Sequence, residues 1–433
     1  MVASLLVSLL IACGGGGDDD DSPTQPPASE PTATVATEAT ESGETPAATE
    51  STGDATATQT TGTTEPTMEA TTDATSEATT ESTTPTTGTS TTSSFAFGWN
   101  IATRGDGQAE EHNRRTGEMV LDSGFNWVRF QLEWQQFEKV DDQWDPLPID
   151  RKVEELHAQG INILLAVAKA PEWVLANDGE QFLTDYAEFE ELMQFVSNRY
   201  QGKVQAWEIW NEQNMAYEMH GDVRVSDYFE LLKAGYTGIQ AGDPDAKVVF
   251  GGLTPTGVLD PSIAIDDAEY LRQIYAYNNG EIRQYFDILG VHLISTHNSP
   301  DDTWPDNIGE NEGWNDHPSF FFRRGEELHE ILVQNGDGNK PIWITEFGWT
   351  TENQAPGREY GVNNTEEEVA QYLTRALEIA TTEWGDWATG AFVWNLNWAT
   401  LVEPEHHIYP SSALREDWTP KPSYEAMKAF PKS

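Results

Sequence analysis

One cysteine, Cys13, is all that the 433 residues contain, and a lone thiol can neither close an internal disulfide nor anchor a structural zinc site. Positive charge is scarce too: 24 Lys and Arg stand against 73 Asp and Glu, for a formal net charge of -49. Such a chain repels phosphate backbones and anionic head groups alike, which argues against nucleic acid as a partner. Long apolar runs are also missing. The one that stands out, Val2 to Ala12, is about half of the roughly 20 residues that a membrane-spanning helix needs, and it reads as an export signal. Neither a metal nor a cofactor is expected, and stability has to come from the core.

What is there begins with Leu10-Ile11-Ala12-Cys13, a short apolar stretch ending in a small residue and the sole cysteine, with no Lys or Arg ahead of it. It resembles the lipobox of bacterial lipoproteins, and the resemblance implies a signal peptide over residues 1–13, lipid attachment at Cys13, and an extracytoplasmic protein that meets the membrane only through that lipid. Residues 14–94 contain no Lys or Arg, and Thr supplies 27 of the 73 residues from Ser22 to Ser94. A stretch with so little apolar surface to bury cannot offset its ordering entropy, so it is expected to be a disordered tether. Its 15 acidic residues repel one another and extend it.

Aromatic residues become frequent from Phe95 onward, which sets a single folded domain at residues 95–433. Short apolar runs alternate there with amphipathic stretches, the pattern of a parallel α/β architecture. Strands are predicted at Phe95–Asn100, Trp127–Leu132, Ile161–Val167, Val204–Trp210, Lys247–Leu253, Ile288–Ile294, Ile342–Glu346 and Gly390–Asn395. The intervening helices are predicted at Gly107–Asp122, Ile149–Gln159, Leu183–Tyr200, Ser226–Gln240, Asp267–Asn278, Pro318–Asn335 and Thr365–Trp384, with Lys421–Phe430 closing the chain. Eight such units, with no Gly-rich phosphate loop after the first strand, favour a (β/α)8 TIM barrel over a doubly wound open sheet.

Two glutamates end predicted strands, on the face where barrel enzymes keep their active sites. Glu212 lies in Trp210-Asn211-Glu212 after strand four, and Glu346 in Thr345-Glu346-Phe347-Gly348 at strand seven; their separation of 134 positions equals about three βα units. These motifs, with the closing Pro420-Lys421-Pro422-Ser423-Tyr424, resemble clan A glycoside hydrolases, families 39 and 5 most. The resemblance extends over residues 95–433. It implies a retaining O-glycosidase acting on a β-linked polysaccharide or oligosaccharide, with Glu212 as acid/base and Glu346 as nucleophile. It also implies that Arg129 faces Glu346, that Asn211 bonds a sugar hydroxyl, that His292 lies near the pocket, and that Trp394 floors it.

Two carboxyls can divide that chemistry, because the charge on one raises the pKa of a close neighbour and so keeps it protonated. Glu346 is expected to stay ionised under Arg129, and Glu212 to hold the proton. Where many relatives carry a Tyr after strand six, this chain has Ile294-Ser295-Thr296-His297, and Tyr360, His297 or another loop residue is a candidate to replace it. Trp134, Trp173, Trp349 and Trp398 also follow predicted strand ends, and 16 Trp in all suggest a sugar cleft; Trp134 and Trp349 are taken as further substrate contacts. The segments Ser299–Pro318 and Glu352–Asn364 are expected to set the choice of sugar. A monomer is expected. A carbohydrate-binding lipoprotein on an inactive barrel, or a transglycosylase, would show the same motifs.

Overall fold

The computed structural model describes residues 95–176, 181–295, 297–306, 317–351 and 364–432. The signal and tether segments with Cys13, most of the two loop segments after strands six and seven, Thr296 and Tyr360 lie outside the described residues. Eight parallel strands close a barrel in chain order: β1 (Ala96–Asn100), β2 (Trp127–Glu133), β3 (Asn162–Ala168), β4 (Ala206–Ile209), β5 (Lys247–Leu253), β6 (Ile288–Ile294), β7 (Ile342–Gly348) and β8 (Ala388–Val393). Around them lie α1 (Ala109–Asp122), α2 (Leu147–Ala158), α3 (Ala187–Arg199), α4 (Val225–Gly242), α5 (Asp267–Ala276), α6 (Arg324–Gln334), α7 (Glu366–Glu378) and α8 (Pro422–Ala429). The fold is thus the expected TIM barrel.

The helix starts differ from expectation for local reasons. Leu183 pairs with Leu175 in an isolated bridge, so α3 begins only at Ala187. Pro318–Phe320 forms a separate 3₁₀ turn before α6. At α7, the Thr365 side chain accepts from the Glu368 backbone while Glu368 bonds back to Thr365, so the acidic run Glu366 to Glu368 opens the helix on a capping box.

Strand alternation sorts the side chains into two apolar bodies. Outward residues such as Trp207, Ile209, Leu289 and Ile344 pack under the helices. Inward residues Ala96, Leu164, Ala206, Val249, Ile288, Trp343 and Phe392, with Trp127 against them, fill the lower barrel, so every strand contributes one. Trp343 stands 5.1 Å from Trp127 and 5.6 Å from Phe392, ring centroid to centroid. This layer is apolar, and the charged groups of the interior lie above it.

The ring of Phe392 fits because β1 carries Gly98, where an added Cβ would lie 2.2 Å from a ring carbon. Gly98→Ala is therefore expected to lower the unfolding free energy by about 1–3 kcal/mol through overpacking, read as a reduced urea midpoint by tryptophan fluorescence.

Candidate active site

Above the apolar layer, β2 sends Arg129 into the barrel, where it is buried and fully engaged. Its Nε donates to Glu208 Oε2 at 2.5 Å, one terminal nitrogen to Asn100 Oδ1 at 2.9 Å and to Glu346 Oε1 at 2.6 Å, and the other to Asn211 Oδ1 at 2.8 Å. One guanidinium thereby joins β1, β2, β4, β7 and the turn after β4. Asn100 completes the tie by donating to the carbonyls of Thr345 and Phe392. Neither Asn100 nor Glu208 was singled out by sequence. Glu208 was legible in principle, because a carboxylate between the outward Trp207 and Ile209 must face the barrel interior and needs a buried cation.

Glu346 reaches the interior through a break in strand alternation. Trp343 and Thr345 face inward and Ile344 and Phe347 outward, yet Glu346 also points inward; the β7–β8 register shifts between Ile344 and Phe347. A bulge re-aims one side chain in this way. Glu212 is turned in by backbone strain, since Trp210 and Glu212 adopt left-handed φ values of 71° and 52°, each costing on the order of 1–2 kcal/mol for a non-glycine residue. Trp210 is held by its N–H on the Val167 carbonyl and its indole N–H on the Glu218 carbonyl, at 2.9 and 3.2 Å. The Glu212 N–H bonds the Gly252 carbonyl at 2.9 Å.

His292, from β6, lies between the two carboxylates. Its Nδ1 is 3.1 Å from Glu212 Oε1, and its Nε2 is 3.7 Å from Glu346 Oε1. Gly252 leaves room for the ring: an added Cβ would lie 2.3 Å from it. Single ligand atoms of Glu212, His292 and Glu346 all fall within 4.8 Å of one another. These atoms could bracket a cation by distance, but the Arg129 guanidinium already sits on Glu346 Oε1, so the arrangement suits proton handling better.

The protonation differs from expectation. Burial pushes the Glu212 carboxyl up, but the hydrogen bond and charge of His292, the Thr254 hydroxyl and the charge of Lys169 outweigh it and hold Glu212 below the ordinary carboxylate range. Burial likewise pushes His292 down, and the charge of Glu346 with the bond to Glu212 outweighs it, so the imidazole is raised. Both directions favour a charged Glu212–His292 pair, whereas Glu212 was expected to be raised by Glu346 alone.

Asn211 is anchored through Oδ1 on Arg129, while its buried Nδ2 has no hydrogen-bond partner among the described residues. Trp394 follows β8 and is half-buried, 6.1 Å from the equally half-buried Trp398. Trp134 and Trp349 are corrections. Trp134 is 0% exposed, bonded to Glu138 and packed on Trp173 and Phe189. Trp349 is buried, donates to the Asn298 carbonyl and packs on Phe322 and Tyr372. A ring enclosed in the helix layer has no face to offer a sugar. After β6, His297 is buried at the mouth, and Tyr360 lies outside the described residues.

No protein-family model matches the chain, and no curated protein does. Among solved structures it is similar to a family 39 glycoside hydrolase from Bacteroides cellulosilyticus, with a TM-score of 0.60 and 20% identity over 78% of this chain and 63% of that one. It is also similar to a family 39 enzyme from Xanthomonas axonopodis, at 0.55 and 16% over 77% and 65%, and to xylanase 10B from Thermotoga maritima, at 0.52 and 14% over 78% and 94%. The chain spans less than two thirds of the length of the two family 39 structures. At these identities the likeness shows a shared fold.

The pair Glu212–His292 makes stability depend on pH with a definite sign. The raised histidine contributes below its unfolded value near 6.5 and loses that contribution as pH rises through its folded value. The lowered glutamate contributes above its unfolded value near 4.3 and loses it as pH falls. The stability difference between wild type and His292→Gln is expected to peak between about pH 4.3 and 6.5 and shrink on both sides, measured by urea denaturation across pH.

Proposed function

We propose that the protein is a retaining glycoside hydrolase acting on a β-linked glycan outside the cell, held to the membrane by a lipid on Cys13. The observation that carries the reading is the close approach of Glu212 and Glu346, with oxygens within 4.8 Å, at the mouth of a TIM barrel. Retaining glycosidases hold their two carboxyls roughly 5–5.5 Å apart, whereas inverting ones need roughly 6.5–9.5 Å to admit a water. The Glu212–Glu346 approach supports the first class.

In the first step a Glu346 oxygen attacks the anomeric carbon, the bond to the leaving oxygen breaks, and Glu212 gives that oxygen a proton. Glu212 obtains the proton from His292 across 3.1 Å, a transfer that leaves the net charge of the site unchanged. Bonding to carbon removes the charge of Glu346, which had kept the imidazole protonated. In the second step water attacks the anomeric carbon, passes its proton to Glu212, and Glu346 leaves as the carboxylate; the proton then returns to His292. Arg129 disperses the charge on Glu346 before attack and after release. Asn211 Nδ2 is oriented for a sugar hydroxyl by its Oδ1 bond to Arg129, and the half-buried Trp394 and Trp398 supply a ring face to the apolar side of a sugar.

Reducing-end release is measured on β-glucans, xylans, mannans, galactans and bacterial exopolysaccharides. Glu212→Gln and Glu346→Gln are each expected to lower the rate by about 10²–10⁴-fold on the polymer cut, and the anomer formed first, followed by proton NMR, is expected to retain its configuration. Retention of a polymer on a column without cleavage by the wild type would favour a binding protein and overturn the enzyme reading. For the anchor, Cys13→Ser is expected to abolish incorporation of labelled palmitate into the full chain expressed in a bacterial host and to move the protein from the membrane fraction to the soluble one.

A further inference from the structure

We infer that Lys169, Glu218 and Tyr217 form the sugar-reading subsite that sets which epimer of a neutral glycan is cleaved. The inference rests on the glycosidase reading above and names the substrate class for it.

Lys169 follows β3 directly, at the catalytic mouth, with a left-handed φ of 64°. Its ammonium donates to both oxygens of Glu218, at 2.7 and 2.6 Å. Glu218 belongs to the same turn as Glu212, and its carbonyl takes the indole N–H of the strained Trp210. The exposed ring of Tyr217, 53% accessible, stands 5.0 Å from the ammonium. Lys169 is 8% exposed, against 6% for Glu212 and 0% for Glu346, so it is buried to the same degree as the carboxylates. Electrostatic reach agrees: the charge of Lys169 lowers Glu212, and the charges of Glu212 and Glu346 are among the causes that push Glu218 up to about 7, after burial and against Lys169.

A buried ion pair is weak as a source of stability, because desolvation offsets most of the attraction and an apolar pair of similar volume is often no worse. Placing one in strained backbone beside two other carboxylates adds cost without a structural return. What the pair does supply is a fixed donor and a fixed acceptor side by side beside an aromatic face, which is what two neighbouring hydroxyls on one sugar require. A carboxylate-bearing sugar fits poorly. The ammonium is already neutralised by both oxygens of Glu218, and Glu208, Glu212 and Glu346 add negative charge around it in a chain of net charge -49.

Because hydroxyl recognition leaves a polar pair unmatched when one stereocentre is inverted, its loss must change selectivity and not merely rate. The test compares kcat/KM on 4-nitrophenyl β-glucoside, galactoside, mannoside and xyloside and on the corresponding polymers, for wild type, Lys169→Met and the charge-balanced Lys169→Met/Glu218→Gln. The ratio between best and worst substrate is expected to fall by about tenfold or more in both variants, one lost hydrogen-bonded contact to a charged group, with the worst substrate changed by less than about threefold. An equal loss on all substrates, or an unchanged ratio, overturns the subsite while leaving the glycosidase reading intact. The double variant leaves no uncompensated carboxylate, so it keeps the comparison valid if Lys169→Met alone fails to fold. Inactivity of the wild type on every substrate overturns the parent reading and the subsite with it.

Discussion

Arg129 is the charge around which the barrel mouth is assembled. Burying a guanidinium costs several kcal/mol unless it is paired and hydrogen-bonded, and the same holds for Glu208 and Glu346. Each is affordable only in the presence of the others, and the contacts come from β1, β2, β4 and β7 at once. Removing the arginine would strand two carboxylates, Glu208 and Glu346, in a region sealed from below by Trp343, Phe392 and their neighbours. Register across half the barrel and the ionisation of the site are therefore one constraint.

Strain is concentrated next to that centre. Lys169, Trp210 and Glu212 all take left-handed backbone at the ends of β3 and β4, and β7 is bulged where Glu346 turns inward. Regular strands would have sent alternate side chains outward under the helices. The cost is carried by hydrogen bonds on both sides of the strained residues and by apolar packing of Trp207, Ile209 and Trp210 beneath α3 and α4. Local irregularity that persists in this way is the mark of a positioned site.

Much of this was legible in the sequence. Eight strands with their helices follow from alternation and amphipathic spacing, and Glu212 and Glu346 from their matched places at strand ends. Arg129 on Glu346 was implied by the resemblance and not by strand order, since β2 and β7 are not neighbours in the barrel. Trp134 and Trp349 misled because a position just past a strand does not say whether a ring turns toward the mouth or toward the helices; one turns to Glu138 and the other to Asn298. The histidine's part in the pair was not legible for a different reason. Reading two carboxylates as a pair leaves out the third titratable group between them, His292, whose imidazole is raised by the charge of Glu346 and the bond to Glu212. Lys169 and Glu218 are 49 residues apart, and nothing in either local segment announces the other.

The packed lower barrel has a consequence for traffic. With Trp343, Trp127 and Phe392 filling the lower interior and Gly98 making room for the Phe392 ring, the barrel axis is a packed core and not a pore. A ligand that enters at the mouth must leave by it, so on the proposed reading a long glycan cannot be threaded through the barrel and has to be laid across its rim.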